Sequence, residues 1–446
     1  MSVFKLISEE FYDDAVKMII DLVNIDSVYD ESTVSVDKPY GEGVAKCLKA
    51  FKDLAVSKGL KAEIVGNRCV EVTVGTSGKE VGIFGHLDVV PATGEWSNPP
   101  FNAIIKDEKI YGRGTSDDKG PLVAAFCAVL GLVKHNLVNN YRIRIVAGGD
   151  EERGSSCLDH YFHEAKRPHV DCGFTPDAEF PLIYGEKGIV NYTLTKKDKI
   201  PGIIEIQAGV ASNCVIDQAR VKVENYAGFA EFLKNSDYKY HVEDEWFVFD
   251  GKSAHGSLPE LGFNSGIAMI SALGNFLNNK FLLEFAYQYE DYNGRNLGLF
   301  FETENMGVTT YNVGLISYVD GVFSATVNFR FPESVNIDAV AEKLKATTSC
   351  DFEIGRASPV LYFDPNSKMI QTLYNAYVEE SGDTVNKPMT IGGGTYAKEA
   401  KNIVAFGSNF PGKVDHIHEP DEKIDLEDVK KSIQLYARAI HDLGNM

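Results

Sequence analysis

The chain lacks any apolar run near the eighteen or so residues that a membrane-spanning helix needs, so functions that require such a span are not expected. It also lacks a Cys-x-x-Cys pair. Its seven cysteines (Cys47, Cys69, Cys127, Cys157, Cys172, Cys214 and Cys350) are odd in number and scattered. That pattern argues against a disulfide framework or a thiolate zinc site, and for thiols kept reduced. Basic residues are scarce: 44 Lys and Arg stand against 64 Asp and Glu, a net charge of −20. Such a surface repels phosphate backbones and anionic lipid, so neither nucleic acid nor membrane is an expected partner. No repeat, low-complexity tract or long flexible linker interrupts the chain. The first ten residues turn acidic at Glu9 and Glu10, before a signal-peptide core could form, so a cytoplasmic location is expected.

What is present is carboxylate in quantity, and a chain too long for one core. At 446 residues, with 44% hydrophobic and 24% charged content, it reads as a globular protein of two or three domains. Apolar spacing predicts helices over 9–23 and 40–58, followed by strands over 62–65, 70–74 and 81–84. A helix over 122–133 and a strand over 142–147 continue an interleaved α/β pattern. Beyond Gly185 the texture changes to strands at 189–194, 203–206, 245–249 and 322–331, with helices at 225–233 and 265–277. These suggest an inserted α+β domain. Helix 367–378, strand 403–406 and helix 426–443 then close the chain. The expected division is 1–187 and 359–446 for an α/β domain with a mostly parallel sheet, and 188–358 for the insertion.

Chemistry-bearing residues collect just after the strand-like runs. His86 and Asp88 end the first, in Gly-His86-Leu-Asp88-Val-Val-Pro91. Two residues apart at a strand's carboxyl end, they address one side together. Asp117 and Asp118 follow the glycine-dense Gly112-Arg-Gly114-Thr-Ser; by themselves they suit a helix cap and first turn. Asp150-Glu151-Glu152 and Asp177 follow two further strands. His416 and His418 stand near the end. The carboxyl ends of strands are where open α/β sheets place their sites. Two histidines with several carboxylates suit zinc, or manganese or cobalt, better than calcium or magnesium. A pair of cations bridged by a carboxylate and a water would take five protein ligands and leave one carboxylate as base.

The segments His86-Leu-Asp88-Val-Val-Pro, Gly112-Arg-Gly-Thr-Ser-Asp117-Asp-Lys-Gly-Pro, Asp150-Glu151-Glu152 and His418-Glu-Pro-Asp-Glu422 resemble, in order, the signatures of the aminoacylase / glutamate carboxypeptidase / carnosinase family of di-zinc metallopeptidases. Within it, Phe174-Thr-Pro-Asp177-Ala-Glu-Phe-Pro, Gly185-Glu-Lys-Gly188, Ala254-His255-Gly256-Ser257, Asn328-Phe-Arg330-Phe-Pro and Gly392-Gly-Gly-Thr-Tyr-Ala are similar to the PepV-like dipeptidase branch.

The resemblance implies a zinc-exopeptidase-like catalytic domain with an enlarged lid, and hydrolysis of short unblocked dipeptides. An N-acyl amino acid deacylase or desuccinylase shares the pattern, as would an inactive binding homologue. It implies that Asp117 bridges two divalent ions, His86 and Asp177 completing one site, Glu152 and His418 the other. Glu151 is then the general base and Asp88 orients a metal-bound histidine. His255 is implied to stabilise the oxyanion, Asn213 to assist there, and Arg330 with Gly393, Gly394 and Thr395 to hold the substrate's carboxylate. The enlarged lid further implies a monomer, with lid closure bringing His255 and Arg330 toward Glu151.

Overall fold

The computed structural model describes residues 2–414 and 416–446. The chain divides into two compact units: the first comprises 1–185, 363–389 and 395–446, the second 186–362 and 390–394.

The first unit is built on a twisted α/β sheet. Across it run Lys61–Val65, Cys69–Val74, Tyr141–Gly148, Lys79–His86, Cys172–Thr175 and Ile403–Ala405. The last four are mutually parallel, and the first two join antiparallel at the edge. Lys79–His86 is buried from Glu80 onward without alternation, as a strand covered on both faces must be. Helix Lys119–Lys134 packs on this strand and against helices Val3–Val23 and Leu426–Asn445. It is buried from Lys119 to Leu132. Gly131 makes that packing possible: a Cβ there would lie 2.2 Å from a methyl of Ile7.

The second unit is an antiparallel sheet of eight strands among the described residues, with helices on it. Its order is Tyr240–Glu243, Trp246–Asp250, Gln218–Val223, Ile203–Ala208, Thr310–Val319, Val322–Phe331, Gly188–Lys196 and Asp351–Ile354. Alternation is visible in Gly188–Lys196, where Val190, Tyr192 and Leu194 are buried and Asn191 is exposed. The inward face packs Ile206, Val221, Phe249 and Phe329 against Met269, Ile270 and Leu273 of helix Ser265–Leu277. This is the α+β insertion that the change in sequence texture predicts. Two of its helices, Lys280–Glu290 and Ile337–Thr347, and four strands of this sheet, Gln218–Val223, Tyr240–Glu243, Thr310–Val319 and Asp351–Ile354, have no counterpart in the sequence analysis. No helix among the described residues is long and apolar enough to cross a membrane.

Candidate metal centre and active site

Parallel strands of the first unit deliver their carboxyl ends to one edge of the sheet. His86 is the last residue of Lys79–His86, Asp150 to Glu152 follow Tyr141–Gly148, and Asp177 stands two residues past Cys172–Thr175. Asp117 occupies the turn before helix Lys119–Lys134, and His418 the loop before strand Lys423–Asp425. Residues separated by hundreds of positions thus meet where an open sheet leaves its crevice.

Two groups of possible cation ligands form there. His86, Asp117 and Asp177 offer donor atoms within 4.8 Å of one another, and so do Asp117, Glu152 and His418. Asp117 is common to both. Its Oδ1 lies 2.8 Å from His86 Nε2 and its Oδ2 lies 3.0 Å from His418 Nε2. Glu152 Oε1 is 3.1 Å from the same His418 nitrogen, and Asp177 Oδ2 is 3.6 Å from His86 Nε2. His416 is apart from both groups, its Nδ1 facing Glu419 at 3.3 Å.

The electrostatics of the site fit divalent cations. Burial raises the Asp177 carboxyl, and the Asp117 charge raises it further. Burial and then the Asp117 charge push Glu152 up to about 7. Burial pulls the His418 ring down, yet its hydrogen bonds to Asp117 and Glu152 outweigh it and push the ring up to about 11. His86 is likewise held well above its ordinary value, Asp117, Asp177 and Asp88 overcoming desolvation. So many carboxylates in one buried place demand positive charge, which protons on the rings or cations between the ligands can supply. Oxygen and imidazole donors in this mixture suit borderline divalent ions.

Neighbouring groups set the orientation. His86 Nδ1 lies 2.9 Å from the backbone carbonyl of Asp88. A carbonyl only accepts, so Nδ1 carries hydrogen and Nε2 faces Asp117. The Asp88 carboxylate is further away, 3.5 Å from Nδ1. Its two oxygens instead accept the backbone N–H groups of Glu151 and Glu152, each at 3.1 Å. Asp88 therefore orients His86 through its carbonyl and the glutamate turn through its side chain, a division of labour absent from the sequence reading. Burial raises the Glu151 carboxyl well above its usual range, and the charges of Asp177, Glu152 and Asp117 add to this against the opposing pull of His86.

The capping reading of the two aspartates does not hold. Asp118 is the helix N-cap, but neither of its side-chain oxygens makes a capping bond. Asp118 Oδ2 accepts the N–H of His86 at 3.1 Å, and a Cβ at Gly85 would lie 2.4 Å from it. Tyr396 is a further neighbour missing from the sequence reading. Its ring meets that of His86 edge-on at 6.1 Å, and its hydroxyl lies 3.0 Å from Cys157 Sγ. The quoted Gly-Gly-Gly-Thr-Tyr-Ala run contains it, but no spacing links it to His86.

The remaining residues singled out from the sequence fall in the second unit, apart from Thr395. Arg330 is 3% exposed. Its Nε donates to Asn328 Oδ1 at 2.8 Å and its Nη1 to the Gly392 carbonyl at 2.5 Å, while Nη2 lies 3.5 Å from His255 Nε2. No carboxylate among the described residues pairs with this buried guanidinium, and burial lowers its pKa to about 10. His255 Nδ1 lies 2.6 Å from Ser257 Oγ. The backbone carbonyl of Asn213 accepts the N–H of Gly256 at 2.7 Å, which ties its loop to that of His255. A side chain at Gly392 would crowd Ser257, with 2.7 Å between the Cβ atoms. In the first unit, Thr395 caps the turn Tyr396–Lys398, its hydroxyl accepting the Ala397 N–H at 3.1 Å.

Relatives match along nearly the whole chain. A protein of Staphylococcus epidermidis named "Putative dipeptidase" is 31% identical over 461 residues, covering 97% of this chain and 98% of its own. A relative from Staphylococcus haemolyticus with a similar name is 32% identical, over 95% of both chains. Human carnosine dipeptidase 1 shares the fold with a TM-score of 0.61 at 16% identity, over 100% of this chain and 98% of that one. The dipeptidase Dug1p of Saccharomyces cerevisiae gives 0.62 at 15%, over 100% and 98%. Residues 82–442 match Peptidase family M20/M25/M40, and the chain belongs to that family.

Proposed function

We propose that the protein is a metal-dependent dipeptidase that cleaves short unblocked peptides at the edge of its first unit. One observation carries the reading: Asp117 stands between two imidazoles, each completed by a further carboxylate, so that five side chains form two ligand groups with one shared member. His86 and Asp177 would hold one divalent ion with Asp117, and Glu152 and His418 the other. Zinc suits these donors best, with manganese or cobalt as substitutes. Bound there, the cations supply Lewis acidity that acidifies a water and polarises a carbonyl.

The chain's own groups do the rest. Glu151, its carboxyl raised by burial and neighbouring charge, accepts the proton of the attacking water and returns it to the leaving amine. Asp88 holds the backbone of that base and the tautomer of His86. His255 donates to the developing oxyanion, with Asn213 assisting. Arg330 pairs with the substrate's C-terminal carboxylate, for which a planar fork without a carboxylate partner among the described residues is suited. Backbone N–H groups of Gly393, Gly394 and Thr395 add to that anchor. The buried thiols of Cys47, Cys69, Cys127, Cys157 and Cys172 suit a cytoplasmic location, and the enlarged second unit suits a monomer.

A panel of unblocked dipeptides against N-acetyl and N-succinyl amino acids, with and without a chelator, tests the proposal. Dipeptides should turn over only with divalent cation, and Glu151→Gln should lower kcat by about 10²–10⁴. Turnover confined to the N-acyl compounds would transfer the chain to the deacylases.

A further inference from the structure

Glu422 follows His418 by four residues and is wholly buried. Its Oε1 accepts the backbone N–H of Ser116 at 2.8 Å, of Gly114 at 3.1 Å and of Asp117 at 3.2 Å. Its Oε2 accepts from Gly114 N–H at 3.0 Å and from Arg113 Nη1 at 2.8 Å. One carboxylate thus gathers the N–H groups of the turn that carries Asp117.

Arg113 is itself 1% exposed and stacks on Trp96, 5.0 Å from the ring centroid. Its Nε and Nη2 have no hydrogen-bond partner among the described residues. A buried ion pair so incompletely satisfied gives little net stability, since desolvation offsets the attraction. Its place in the fold is better explained by what it fixes.

What it fixes is a segment that does not hold its shape by local preference. His418 lies at φ 62° and Asp421 at φ 59°, both in the left-handed region that residues with a Cβ rarely adopt. Asp421 is tied to the Trp96 loop by Ser97, whose N–H and hydroxyl donate to its carboxylate at 2.9 and 2.7 Å. Three segments, 93–97, 112–117 and 418–422, are locked together beside one ligand group. Glu422 acts on two of that group's three members: directly on the backbone of Asp117, and through a short strained segment on His418. In the other group it touches only Asp117.

We infer that Glu422, braced by Arg113 and Trp96, is a positioning residue that sets the Asp117–His418 geometry and with it the affinity of one cation of the pair. The inference rests on the two-cation reading above.

The test is calorimetric titration of metal-stripped protein with zinc or manganese, for the wild type and Glu422→Gln, each checked for folding by circular dichroism. An amide cannot accept from both the N–H cluster and Arg113, so one face of the contact is lost. The wild type should take up two equivalents. In Glu422→Gln one equivalent should bind at least tenfold more weakly and the other little changed, with Arg113→Lys shifting the same equivalent. If Glu422→Gln does not fold, Arg113→Lys decides alone. Two undiminished equivalents in a folded variant, or equal weakening of both, would overturn the inference while the two-cation reading stands. Fewer than two equivalents on the wild type would overturn that reading and this inference with it.

Discussion

The Asp88 carboxylate accepts the backbone N–H of Glu151 at 3.1 Å, so the residue that sets His86 also carries the neighbouring glutamate turn. Removing that carboxylate leaves the N–H groups of Glu151 and Glu152 without their acceptor. Asp88→Ala should therefore lower kcat by about 10–100-fold, the range for partners that orient ligands, with little effect on KM. Steady-state kinetics on a good dipeptide would check this. A variant with wild-type kcat would show that the turn holds its shape without Asp88.

Divalent cations should stabilise the first unit as well as activate it. Ligands that bind the native chain and not the unfolded one add about 2.7 kcal/mol at a hundred times their Kd. Chelator-treated protein should melt at a lower temperature than protein returned to zinc or manganese, and its activity should recover in parallel. A melting temperature indifferent to every divalent ion would contradict the proposed centre.

Arg330 offers a discriminating substitution. If its guanidinium pairs with the substrate's carboxylate, Arg330→Ala should cut kcat/KM on free dipeptides by about 10²-fold, the effect of truncating a buried charge partner. C-terminally amidated dipeptides, poor substrates from the start, should lose far less. Equal losses on both would reassign Arg330 to supporting the Gly392 carbonyl and His255, which it already contacts.

Acid stability should depend in part on Asp383. The Tyr377 hydroxyl donates to its carboxylate at 2.6 Å and the Asn386 side chain at 2.7 Å, holding its carboxyl below the usual carboxylate range. A carboxyl lowered in the folded state stabilises above its unfolded pKa, about 3.9, and that contribution disappears as pH falls through the folded value. Asp383→Asn should cost about 1 kcal/mol near pH 7, as for one modest hydrogen bond, and progressively less below about pH 4. Urea denaturation across that range would reveal the closing gap. A gap that stays constant would separate Asp383 from acid stability.

The α/β framework was legible because its signals are local. The unbroken apolar run before His86, the apolar helix after Asp118 and the alternation in 188–196 each mark an element within a few residues of its observed ends. Helix Lys280–Glu290 was not legible, since its aromatic-rich sequence suits strand and helix alike. Strand Thr310–Val319 was obscured by an irregularity between Val313 and Leu315, where Gly314 breaks the register.

By itself, the sequence determined which residues are candidates to carry chemistry and in what order they stand, because motif spacing and residue type are properties of the chain. Only the tertiary structure decided that Asp117 faces both imidazoles, that Asp88 divides its carbonyl and carboxylate between His86 and the Glu151 turn, and that Glu422 grips the Asp117 turn. The reason is sequence separation: Asp117 and Glu422 lie 305 positions apart, and contacts closed over such distances leave no periodic trace along the chain.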